Sequence, residues 1–265
     1  MTTLVAPAAL PTRVGGVEVA VVGEGLPITV FAHGLGGSAA ETRPLAMRTP
    51  GTRLLLTFRG HGASAPLAGG WTYDDLADDM DVVADAFGAT GAVGLSLGAG
   101  ALLRLLSRQP DRFERLAFVL PAALDETRDD LATDRLLRLA DAVIAGDEAS
   151  VVRLLLDEVP ESVRERGGTK LLVDRRAKSM LGVTPPYPRG RDCPLTSLDV
   201  LARVTAPALV VTQADDALHP AEVGARLTSA LGSASHLELP SGGVFWTATR
   251  HAQDVLARHL APEMP

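Results

Sequence analysis

The run Val93-Gly94-Leu95-Ser96-Leu97-Gly98 sets a serine between two glycines, with an apolar stretch before it and a helix-forming stretch after it. A serine at a sharp strand-to-helix turn presents its hydroxyl to the space above the strand end. Glycine is needed on either side, because neighbouring backbone passes too close for a Cβ branch. The same turn aims the Leu97 N–H and the start of the helix dipole at the place where a negative oxygen develops when a carbonyl is attacked. Upstream, His33-Gly34-Leu35-Gly36-Gly37 closes another apolar run. A glycine-rich turn there brings a second N–H, that of Leu35, to the opposite side of the same space. His33 reads as a hydrogen-bonding residue that orients its own loop rather than as a base, and with Gly34 it is placed at the rim of a binding site. A nucleophilic serine flanked by two oxyanion donors is equipment for acyl transfer.

These parts need strands that end at a common edge. The chain supplies apolar strand candidates, "PITVFAHG", "TRLLLTFRG", "GAVGLSLG", "RLAFVLPA", "APALVVTQADD" and "SHLELP", separated by helical stretches. Among the latter, "YDDLADDMDVVADAFG" places Leu76, Met80, Val83 and Phe87 at helical spacing ahead of a stop at Gly88. Strands alternating with helices predict an α/β fold with a mostly parallel central sheet covered on both faces, and active groups at the strands' carboxyl ends. Residues 122–194 interrupt the rhythm with further helices and the irregular "PPYPRGRDCP". That stretch is read as a small helical cap, and residues 1–121 and 195–265 as the core. Within the cap, Leu136, Leu139, Val143, Leu154 and Leu155 have the spacing of packed helix faces.

The segments "HGLGGS", "FRGHGASA", "GLSLGAG" and "QADDALHP", in this order and spacing, resemble the α/β-hydrolase fold superfamily in its cap-bearing, single-domain form. The resemblance covers nearly the whole chain outside the cap. It implies an acid after the penultimate strand in a D-x-x-x-P setting, which is Asp216 before Pro220, with Asp215 the close alternative. It also implies a histidine in the loop after the last strand, where this chain has "LPSGGVFW", so that the general base falls on Gly243. Thr57 stands where the second motif usually has Asp. Gly243 then widens the pocket where an imidazole would stand, and Trp246 is a candidate lining residue beside it.

A serine without a base in hydrogen-bond reach is a weak nucleophile, and loss of a triad member costs ~10⁴ to 10⁶ in turnover. Of the remaining histidines, His219 lies three residues after Asp216 at the correct edge and is the foremost substitute, followed by His33. His61, His236, His251 and His259 are badly placed. The reading preferred from the sequence is a site with no imidazole on the serine.

With 25 Lys+Arg against 32 Asp+Glu and a net charge of −7, the chain offers no basic stripe for nucleic acid. One cysteine excludes an intrachain disulfide and agrees with a reducing compartment. The N-terminus lacks a basic region before its apolar patch and no run of 18 apolar residues occurs, so a cytoplasmic protein free of the membrane is expected. No metal-ligand spacing or phosphate loop implies a cofactor, and the expected partner is a small molecule. Three functions fit these features. One is a serine hydrolase-like enzyme for a small apolar ester, lactone or thioester. A second is a non-hydrolytic enzyme of the same fold, and the third a ligand-binding pseudoenzyme.

Overall fold

The computed structural model describes residues 12–127, 131–182 and 193–262, so the N-terminal segment and the "PPYPRGRD" stretch lie outside the described residues. The described residues contain an eight-stranded sheet. In chain order the strands are β1 (Thr12–Val14), β2 (Val17–Val22), β3 (Ile28–Ala32), β4 (Thr52–Thr57), β5 (Gly91–Leu95), β6 (Arg115–Val119), β7 (Ala208–Gln213) and β8 (Ala234–Leu239). Their order across the sheet is β1-β2-β4-β3-β5-β6-β7-β8; the β1–β2 and β2–β4 pairs are antiparallel and all the others are parallel. This is the mostly parallel α/β architecture expected from the alternation. The central strands are buried on both faces, as their unbroken apolar runs require.

Helices α1 (Ala39–Ala46), α2 (Tyr73–Phe87), α3 (Leu97–Arg108), α8 (Ala221–Ala230) and α9 (Thr249–Leu260) flank the sheet. The side carrying α2 and α3 holds Leu76, Met80, Val83, Leu102 and Leu105 against Val30 and Leu54. On the other face, Leu45, Leu256 and Leu260 pack with Phe31, Leu55 and Val119. Helix α2 begins with a reciprocal capping box between Thr72 and Asp75, and it stops, as its sequence predicts, at Gly88, which takes the left-handed conformation. Between β6 and β7 the chain inserts α4 (Leu131–Ile144), α5 (Glu148–Asp157), α6 (Glu161–Arg164) and α7 (Gly167–Leu181). These share a separate apolar cluster that includes Leu139, Val143, Val151, Leu155 and Val173. Leu154 packs at its margin, whereas Leu136 is 37% exposed and belongs to the surface.

The strand ends facing the insertion are where the backbone departs from ordinary geometry. Three non-glycine residues have positive φ: Ser96 (49°) just after β5, Leu120 (51°) just after β6 and Asp215 (57°) just after β7. Such conformations are uncommon for L-residues and concentrate at functional sites. No helix among the described residues is long and apolar enough to cross a membrane.

Candidate active site

Ser96 sits between β5 and α3 with φ 49° and ψ −106°. Its N–H donates to Val119 O at 2.9 Å, and its carbonyl accepts from Ala99 and Gly100, so both strand and helix hold the strained turn. The flanking glycines answer to close packing. A Cβ on Gly98 would stand 2.5 Å from Ala32 O, and one on Gly94 would collide with the backbone of Gly98 and Ala99. Ser96 keeps partial exposure at the sheet edge.

An imidazole does stand at this serine, against the reading preferred from the sequence. His219 Nε2 is 3.0 Å from Ser96 Oγ, and His219 Nδ1 is 2.9 Å from Asp216 Oδ2. Both residues come from the loop between β7 and α8. Asp216 folds that loop around itself: Oδ1 accepts the N–H groups of Leu218 (3.1 Å) and His219 (3.0 Å), while Oδ2 also accepts Gln213 Nε2 (2.7 Å). Burial alone would raise the Asp216 carboxyl. The hydrogen bond and charge of His219, with Gln213 behind them, outweigh it and hold the group below the usual carboxylate range. Asp215, the alternative acid, takes the left-handed conformation and lines the adjacent cavity instead.

Two other expectations need correction. His33 is fully buried, with Nδ1 2.7 Å from Gly34 O and Nε2 3.0 Å from Phe58 N, so it donates through Nδ1–H, accepts at Nε2 and ties two loops together. Desolvation lowers its pKa to about 4 against the weaker opposing pull of the Gly34 carbonyl, leaving a neutral ring with no face toward a ligand. Gly243 does not widen a pocket. It begins a π-helical turn, Gly243–Thr247, and a Cβ there would stand 2.5 Å from Leu239 Cβ. The glycine is required by packing of the loop on the end of β8. The remaining histidines lie away from Ser96. His236 bonds Thr212 Oγ1, His259 bonds Leu116 O, His251 is exposed on α9, and His61 is buried in the turn after β4.

The turn His33–Gly37 lies against the serine: a Cβ on Gly34 would be 3.5 Å from Ser96 Cβ. It closes through Gly37 N–H to Gly34 O at 3.0 Å, with Gly36 at φ 68°, a conformation that glycine adopts without penalty. Among the described residues, neither the Leu35 nor the Leu97 N–H is spent on a turn or loop carbonyl.

Next to His219 opens a cavity of ≈ 590 Å³ between the strand ends and the inserted helices. Leu120, Leu155, Phe245 and Trp246 supply apolar wall, while Glu41, Arg135, Glu158 and Arg176 supply charge. Glu158 has free surface, but that surface is cavity wall, and loss of bulk water raises its carboxyl against the opposing charges of Arg176, His219 and Arg135. Sequence reading missed Glu41, Glu158, Arg176 and Gln213. A signal existed for Glu41, which follows the helix-capping Ser38 at the capping-box spacing; in the fold its Oε2 accepts the Gly34 N–H at 2.8 Å. Among the described residues no three His, Cys, Asp or Glu side chains gather as metal ligands.

Comparison with known proteins agrees with this architecture. The model of the Alpha/beta hydrolase family matches residues 29–258. The "Putative carbamate hydrolase RutD" of Caulobacter segnis is 30% identical over 239 residues, covering 85% of this chain and 87% of its own. A protein of the same name from Variovorax paradoxus is 30% identical over 253 residues, covering 89% and 94%. A thermophilic esterase from Thermogutta terrifontis superposes with a TM-score of 0.73 at 19% identity, covering 96% of this chain and 100% of its own. At that identity the likeness is one of fold.

Proposed function

Because the chain belongs to the alpha/beta hydrolase family, we propose that it hydrolyses small carbonyl compounds, esters or carbamates, through Ser96, His219 and Asp216. The observation that supports this reading is the imidazole bridging serine and carboxylate at 3.0 and 2.9 Å. With Nδ1–H held by Asp216, Nε2 is free to take the Ser96 proton as Oγ attacks the carbonyl carbon. The Leu35 and Leu97 N–H groups receive the oxygen that becomes negative. The imidazolium, stabilised by ionised Asp216, then protonates the leaving oxygen or nitrogen. Water, deprotonated by the same ring, releases the acyl group and restores Ser96. Carbamates join the class because the curated relatives carry that name. The charged cavity wall fits a substrate with a further polar group better than the small apolar ester, lactone or thioester expected from sequence.

A fluorophosphonate probe tests the proposal. The wild-type protein should be labelled stoichiometrically at Ser96. Ser96→Ala and His219→Ala should each abolish labelling and turnover of a short p-nitrophenyl ester. Undiminished labelling in a folded His219→Ala protein would remove the imidazole from the mechanism.

A further inference from the structure

Helix α7 meets the turn beside Ser96 through two residues one helical turn apart. Met180 covers Gly36, where a Cβ would stand 3.0 Å from Met180 Cε and nearer still to its Cγ. Arg176 donates Nη1–H to Glu41 Oε1 at 2.5 Å. Leu35, between them in the turn, packs against the apolar cluster of the inserted helices. Glu41 spends its other oxygen on the Gly34 N–H at 2.8 Å, and a Cβ on Gly37 would overlap that oxygen. Gly34 thus lies against both Glu41 and Ser96, a Cβ there lying 3.4 Å from Glu41 Oε2 and 3.5 Å from Ser96 Cβ.

A carboxylate in that place fixes the turn but carries the wrong charge. Left bare, it would repel the negative oxygen that forms on the substrate a few Å away. At the effective dielectric of such sites, an uncompensated unit charge at that range changes a rate by roughly ten- to a hundredfold. We propose that Arg176 and Glu41 form a positioning pair: Glu41 sets the turn that presents the Leu35 N–H, and Arg176, reaching across from α7, neutralises the carboxylate that does so. The inserted helices thereby act on the chemical step as well as on access to the cavity. The inference rests on the reading of Ser96 as nucleophile and of this turn as oxyanion donor.

The test is a double-variant cycle on p-nitrophenyl ester hydrolysis, with fluorophosphonate labelling rate as a second readout and thermal melting as a check on folding. Arg176→Gln should lower kcat and labelling roughly ten- to a hundredfold, with KM changed less than about threefold. Arg176→Lys, which keeps the charge, should recover most of the loss. Glu41→Gln, which keeps an acceptor for Gly34, should lower kcat less than Arg176→Gln does, and Glu41→Gln combined with Arg176→Gln should return kcat to the level of Glu41→Gln alone. If Arg176→Gln is too unstable to measure, the lysine and double variants carry the comparison. A loss confined to KM, an additive loss in the double variant, or no loss at all would overturn the proposal. Ser96→Ala separates the two layers: if it leaves turnover intact, the serine-hydrolase reading itself fails, whereas if it abolishes turnover and the cycle is additive, only the pairing fails.

Discussion

Asp216 gathers donors from Gln213, Leu218 and twice from His219, and on the proposed assignment this is what makes a three-residue separation between acid and base workable. The loop has no freedom to swing the imidazole away, because the backbone N–H of His219 and its Nδ1 are held by the same carboxylate. Asp216→Asn should therefore do two kinds of damage, loss of charge behind the imidazolium and disturbance of the tautomer, and lower kcat by about 10³ to 10⁴. Gln213 links this loop to the next through Val244 N–H to its Oε1 at 3.2 Å, so Gln213→Ala should give a smaller loss. Steady-state kinetics on folded variants would rank them, and a Gln213 effect larger than that of Asp216 would contradict the assignment.

Among the elements, the loop after β8 is the one where family resemblance and packing disagree. Adding a histidine at Gly243 restores the expected motif on paper, yet its Cβ has no room beside Leu239. Gly243→His should destabilise the fold by about 1 to 3 kcal/mol and add no esterase activity, as urea unfolding and a kinetic assay would show. A gain in hydrolysis that disappears with Ser96→Ala would prove this wrong. The case shows what was legible. Strand alternation, the Ser96 turn and the caps of α2 are written locally, in residues whose meaning depends on neighbours a few positions away. The reach of His219 to Ser96 depends on a left-handed Asp215 and on the position of β7 beside β6, neither of which spacing in the chain encodes. Likewise the Arg176 to Glu41 contact spans 135 residues, and only the docking of α7 brings it about.

For the molecule as a whole, buried titratable groups set an acid limit. His33 and His61 are lowered to about 4 and about 3, desolvation being the first cause in each, and His259 is lowered in the same sense. Unfolded imidazoles take up protons near the ordinary 6.5 while the folded ones do not, so the stability these groups confer is full above that pH and is lost as pH falls below it. Asp79, raised by burial to about 6, and Glu158, also raised, work the other way, since the folded state holds their protons longer. The histidines take up protons on unfolding and the two carboxyls give them up; with the histidines the more numerous, unfolding free energy should fall as pH drops below the ordinary histidine range. His61→Gln should flatten that slope in urea titrations; an unchanged slope would assign the acid sensitivity elsewhere.

Acid and base sharing one loop has a consequence for how such a protein can change over time. On the proposed assignment, everything after β7's loop contributes shape and no proton transfer: Ser241, Gly242, Phe245 and Trp246 form cavity wall, and α9 covers the sheet. Mutational drift in this closing segment can therefore sample new ligand preferences while the proton path stays intact, a division of labour between stretches of chain that a base located after β8 would forbid.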